Sequence, residues 1–294
     1  MARVVVQRPD WGDFACKWGS WWLKEKVIKS AQTHGYTVSD LHAGAATRSN
    51  VLRECKKSDF CYFSGVGHGN FTTFTGQYEE KIFWRGDEET KRISKGKHFN
   101  FLSCKFGRFG ARWMAREGGA IGVHAYKADF IFIADDEHFP NSYAEPFFDA
   151  HTTTDRELLK GATHGEAHRA CCRRYEYWIL HAPLECKRYL IWDLRHKVFY
   201  GDRNKKLIDN ESKCFIATAT LGNDSADRLQ SFYWLRDNVM NKKKIGRMFV
   251  RMYYNIGPPF AELVSKNRPL RALSYILLIG PMEKVIRKKR YRNI

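Results

Sequence analysis

Apolar positions along the first 135 residues follow two alternating rhythms. Short continuous runs, Arg3–Gln7, Tyr36–Leu41 and Phe60–Phe63, read as β-strands. Between the first two, Phe14, Trp18, Trp21, Trp22 and Ile28 recur at helical spacing until Gly35 ends the pattern, and a second helix is predicted from about Arg48 to Lys57. This β-α-β-α-β alternation predicts an α/β domain with a doubly wound, mostly parallel sheet and right-handed crossovers. Phe71 to Lys97 reads as irregular and aromatic-rich; Phe99–Ser103 predicts a fourth strand and Ala111–Glu117 a short helix broken by Gly118-Gly119. Further strands are expected at Ala120–Val123 and Phe130–Ile133, and one long helix from Thr154 to Ile179. Arg188–Asp193 and Lys197–Tyr200 are expected to close the region as a hairpin ending at Gly201-Asp202.

Polar, turn-rich stretches at 202–206 and 209–213 then mark a boundary, giving domains 1–204 and 205–294. Charge supports the division. Of the net +18, residues 205–294 hold 19 Lys and Arg against 7 Asp and Glu, so an excess of +12 sits in the last 90 positions. Any anionic partner is expected to meet this segment. With 44% apolar and 15% aromatic residues the chain can bury a substantial core. The first residues read as a strand and not a signal peptide, and the uncharged stretch 272–282 falls well short of the roughly 20 residues that span a bilayer. Eight irregularly spaced cysteines, Cys171-Cys172 adjacent among them, show no disulfide framework. A soluble, cytoplasmic protein with free thiols is expected.

Two of the strand-like runs stop at residues that can do chemistry. Phe60–Phe63 leads into Gly67-His68-Gly69, and Phe99–Ser103 ends at Cys104. If the two runs are neighbouring parallel strands, His68 and Cys104 emerge at one sheet edge, where open α/β sheets bind ligands. A thiol is nucleophilic as thiolate, and an imidazole can take its proton and later return it to a leaving amine. Gly67 and Gly69, having no side chain, let backbone N–H groups approach an anionic intermediate. Taken singly, the cysteine reads more readily as a small buried apolar residue and Gly-His-Gly as only a turn.

From Val4 to about Leu207 the chain resembles the gingipain-like peptidases of the caspase-fold clan. The resemblance is carried by residues 8–13 (Arg-Pro-Asp-Trp-Gly-Asp), Ala46–Val51, Gly67-His68-Gly69, Phe74–Gln77, Leu102-Ser103-Cys104, Gly118–Gly122 and Tyr200-Gly201-Asp202, in family order. It implies a caspase-like fold and a cysteine endopeptidase with a Cys104–His68 dyad, the N–H groups of Gly69 and Cys104 forming the oxyanion hole. Departures are Arg203, where proline is common, Lys105 after the cysteine, and the absence of the Gln-Ala-Cys block of caspases, which argues against aspartate specificity.

Substrate-binding candidates follow from topology alone. Asp10 or Asp13, after the first strand, would meet a basic substrate side chain or else cap the next helix, and Arg8 would meet an acidic one. The loop His124-Ala125-Tyr126 is a candidate pocket wall. Metal is the competing use of Cys and His, but only His164 and His168, flanking Glu166, have ligand-like spacing, and that pair reads better as packing or surface; no metal and no cofactor is expected. Residues 213–290 resemble the CFI-box C-terminal domain through Cys214–Ala219, Leu235-Arg236-Asp237, Gly246-Arg247, Tyr253-Tyr254 and Gly257-Pro258-Pro259. They are read as a small all-α basic module suited to an anionic membrane surface or a protein partner, with a solvated basic cap as the plain alternative and no specific nucleic-acid binding expected. Two functions remain open: an endopeptidase acting on polypeptides, with a preference for basic residues and self-cleavage at Lys205-Lys206 or Lys213 in view, or a catalytically silent adaptor on the same fold.

Overall fold

The computed structural model describes residues 2–11, 14–134 and 141–208, scattered positions from 220 onward, and 267–290 continuously. The chain divides into two units, Met1–Ile208 and Asp209–Ile294.

The first unit is built on six strands: β1 (Arg3–Arg8), β2 (Thr37–His42), β3 (Phe60–Val66), β6 (His98–Leu102), β7 (Gly122–Tyr126) and β8 (Lys197–Gly201). Their order in the sheet is β2-β1-β3-β6-β7-β8, every pair parallel except β7 with β8. The mostly parallel, doubly wound α/β architecture is as the alternation of strands and helices predicts. Both faces are covered. Val4 and Val6 of β1 point into one core, shared with Trp18, Trp22, Phe148, Cys171 and Leu190, while Val5 points into a second with Val51, Ile93, Phe63 and Met114. The first core is therefore packed by α1 (Phe14–Trp22), the helical continuation Leu23–Ile28 and α2 (Lys29–Thr33), with α6 (Glu145–Leu159), α7 (His164–His181) and α8 (Leu184–His196). The second is packed by α3 (Arg48–Cys55), α4 (Glu88–Ser94) and α5 (Gly110–Arg116). Aromatic stacking anchors the first core: Trp22 and Phe148 lie 6.2 Å apart and nearly parallel, and truncating such a buried ring costs about 3–5 kcal/mol.

Four sequence expectations are corrected. The stretch 71–97 is ordered, carrying the antiparallel pair β4 (Thr73–Thr75) and β5 (Lys81–Trp84) and then α4, whose first turn is capped by the Asp87 carboxylate accepting from Thr90 N–H. Strands of three and four residues are too short to show a period. The predicted long helix is two, α6 and α7, broken where Gly161 takes φ +97° and Thr163 and Glu166 form a reciprocal capping box that starts α7. Phe130–Ile133 is not a strand; Ile131 N–H donates to the Asp193 carboxylate instead. Arg188–Asp193 belongs to α8, with Cys186, Leu190 and Asp193 buried along one helical face, so β8 pairs with β7 and not with a hairpin partner.

In the second unit, Phe232, Leu235, Ile279 and Ile286 are buried together. Helix runs through Arg268–Ser274, Tyr275–Ile279 and Gly280–Arg290. The Cys214–Ala219 segment lies outside the described residues.

Candidate active site

β3 and β6 are central neighbours, paired in register with Val66 opposite Leu102, and Gly67 N–H donates to the Leu102 carbonyl at 3.1 Å. His68 and Cys104 therefore each stand two residues beyond the carboxyl ends of adjacent parallel strands, both half-buried. The loops that carry them touch. A Cβ on Gly69 would lie 2.6 Å from the Cys104 carbonyl oxygen and 3.0 Å from Ser103 Oγ, and one on Gly67 would overlap the Thr75 carbonyl. The glycines thus have a steric reason: only a bare Cα allows the His68 loop to lie against β4 on one side and the Ser103–Cys104 backbone on the other. The His68 carbonyl accepts from Thr75 N–H (3.0 Å) and Oγ1 (3.1 Å), which pins the loop to β4.

After Cys104 the chain turns sharply. Lys105 takes φ +61°, Phe106 N–H donates back to the Cys104 carbonyl at 2.7 Å, and Lys105 N–H donates to Ala128. A non-glycine residue in this region is strained unless its surroundings hold it, and here a 3.0 Å ion pair between Lys105 and Asp129 adds to the backbone bonds. Burial pushes the Cys104 thiol up to about 11; the Phe130 N–H acts against this and the Asp129 carboxylate with it. The resting sulfur is a thiol. His68 Nε2 lies 3.7 Å from the sulfur of Cys16, a buried cysteine on α1. Nothing in the spacing of the sequence pointed to Cys16 or Asp129, which reach this edge from a crossing helix and from the loop after β7.

The remaining candidates scatter. Asp10 is exposed, its N–H donating to Gln77 Oε1 and its carboxylate 3.9 Å from His42. Asp13 lies outside the described residues. Arg8 is not a loop residue open to substrate but a buried end of β1, forming a bidentate pair with Asp40 at 2.8 and 2.6 Å. His124-Ala125-Tyr126 is the C-terminal part of β7, not a loop. Tyr126 is fully buried with its hydroxyl 2.7 Å from Tyr175 and 3.1 Å from His151, so its ring offers a substrate no surface.

His164 and His168 face the sheet from α7, while Glu166 closes the capping box. His164 sits above Gly122, with Nε2 2.7 Å from His98 Nδ1 and Nδ1 2.9 Å from His124 Nε2. Burial holds His98 down to about 3, and His164 and His168 to about 4, so these imidazoles are neutral. Alongside, Asn100 bonds Asp155, Tyr62 bonds the same carboxylate at 2.6 Å, and buried Lys197 reaches Asn100 Oδ1 at 3.2 Å. Among the described residues no three His, Cys, Asp or Glu side chains are arranged to hold a metal ion.

No family model matches the chain, and no curated protein matches it in sequence. Among solved structures it is similar to the complex of Porphyromonas gingivalis RgpB pro- and mature domains. That likeness has a TM-score of 0.45 at 10% identity, over 69% of this chain and 47% of that one, so the chain spans less than half of the protein it matches.

Proposed function

We propose that the chain is a cysteine-type endopeptidase in which Cys104 is the nucleophile and His68 its general base. What carries this reading is the in-register pairing of β3 with β6, which brings a thiol and an imidazole to adjacent strand ends, the ligand-binding edge of a parallel sheet. With the thiol protonated at rest, the nucleophile forms by proton transfer to His68 as the scissile carbonyl arrives. The sulfur then bonds to the carbonyl carbon and the oxyanion is met by the Gly69 and Cys104 N–H groups. His68 returns the proton to the departing amine, and water hydrolyses the thioester. Asp10, and with it a preference for basic side chains, belongs to the same proposal.

The experiment is cleavage of a diverse peptide mixture by the parent, Cys104→Ala and His68→Ala proteins. Loss of all cleavage in both variants, with circular dichroism unchanged, is the expected result; residual cleavage by Cys104→Ala would overturn the assignment. A second reading, a catalytically silent adaptor, is favoured by two observations: the His68 Nε2 neighbours Cys16, and burial pushes the Cys104 thiol up despite the opposing charge of Lys105. It predicts a folded parent protein that cleaves nothing and resists thiol-directed peptide probes.

A further inference from the structure

The second unit leaves an unusual amount of apolar side chain in water. Ile245, Met248, Met252, Leu263, Leu273, Ile276 and Leu277 are each about half exposed or more, Ile276 and Leu277 by two-thirds. Single exposed apolar residues mean little, but those on the last helix form a stripe. Helix runs unbroken from Arg268 to Arg290, started by the Asn267 side chain accepting from Leu270 N–H, with a wider π-helical turn at Tyr275–Ile279. On its inner face Ser274 is buried, and Ile279 and Ile286, with Leu278 and Met282 partly covered, pack in the cluster with Phe232 and Leu235. Leu273, Ile276 and Leu277 fall at i, i+3 and i+4 on the opposite face, where half or more of each side chain is exposed. Tyr275 is also exposed beside them.

Charge brackets this stripe. Arg268 and Arg271 precede it, and Lys284, Arg287, Lys288, Lys289 and Arg290 follow, against Glu283 as the only acid between 268 and 290. A groove on a protein partner has no need of cations at both ends of the apolar stripe, whereas an anionic bilayer meets both features at once. Its acyl boundary takes the leucines and isoleucine, and its headgroups take the Lys and Arg. No described helix is long and apolar enough to cross a membrane, which fits a helix lying in the interface plane.

We infer that the face formed by Leu273, Ile276 and Leu277 docks this protein on an anionic lipid surface. The inference stands on the second unit alone and is independent of the peptidase reading.

The test is co-sedimentation of the full chain with vesicles of phosphatidylglycerol and phosphatidylcholine, against pure phosphatidylcholine, for the parent and for Ile276→Glu/Leu277→Glu. Both positions are exposed, so the double variant keeps the buried cluster with Phe232. The expected result is binding to the anionic vesicles only, and at least tenfold weaker binding in the double variant. Absence of binding to anionic vesicles overturns the inference. So does binding that the double variant leaves unchanged, which reduces it to charge alone. Self-association that the double variant abolishes, without any vesicle binding, assigns the stripe to a second copy of the chain and overturns it as well.

Discussion

His68 Nε2 and the Cys16 sulfur stand 3.7 Å apart, linking the loop after β3 to the first helix of the domain. Cys16 is buried and Cys104 only half-buried, so the two thiols differ in access. Alkylation of the native protein with iodoacetamide, mapped by mass spectrometry, is expected to modify Cys104 and spare Cys16. Labelling of Cys16 ahead of Cys104 would move the nucleophile to α1.

The rate of that alkylation carries the thiol's protonation. With the Cys104 thiol raised to about 11 by burial, the thiolate fraction grows about tenfold per pH unit from neutrality to pH 10. Labelling of Cys104 should rise steeply across this range. A rate already flat between pH 6 and 8 would mean a preformed thiolate paired with His68 and would contradict the neutral resting thiol.

Gly67 and Gly69 answer to packing before chemistry. Gly67→Ala drives a methyl into the Thr75 carbonyl, and overpacking of this kind costs about 1–3 kcal/mol. Gly44→Ala, with nothing within 4 Å and an ordinary backbone, serves as the control. Urea denaturation should show Gly67→Ala clearly destabilised and Gly44→Ala within about 0.5 kcal/mol of the parent. Equal midpoints for the two would undo the close approach described for the His68 loop.

Acid should unfold the first unit early. His98, His164 and His168 have folded values depressed to about 3, 4 and 4 by burial, whereas the unfolded chain takes up those protons near pH 6.5. The unfolded state binds more protons between these limits, so stability is full above pH 6.5 and falls as pH drops towards 4. Each histidine contributes up to about 1.4 kcal/mol per pH unit. Thermal melts should show Tm falling from pH 7 to pH 5, and a flat profile would show that these imidazoles are not buried and neutral.

Much of the frame was legible in advance. β1 to β3, β6, the long first helical segment, α3 and α5 were all visible, because local apolar runs and the 3.6-residue period need no knowledge of the rest of the chain. So was the adjacency of β3 and β6, which places His68 and Cys104 just beyond neighbouring strand ends. The capping box Thr163-x-x-Glu166 was a readable signal for the start of α7 that the long-helix expectation passed over. The period of Cys186, Leu190 and Asp193 likewise marks α8.

Tertiary structure alone decided what surrounds the candidate dyad and the inner face of the sheet. Cys16 reaches His68 from residues 52 positions away in sequence, and Asp129 reaches Cys104 from beyond β7. Tyr126 turned from pocket wall to core because β8 closes antiparallel on β7 and buries that edge beneath α6 and α7. His98 and Asn100 on β6, and His124 and Tyr126 on β7, keep the two-residue period of one strand face, but polar residues in that pattern read as solvent-facing, and each is tolerable inside only when a partner from another element arrives. Local pattern marks most of the strands and helices that carry the sheet; which side chains meet across them depends on distances that no local spacing contains.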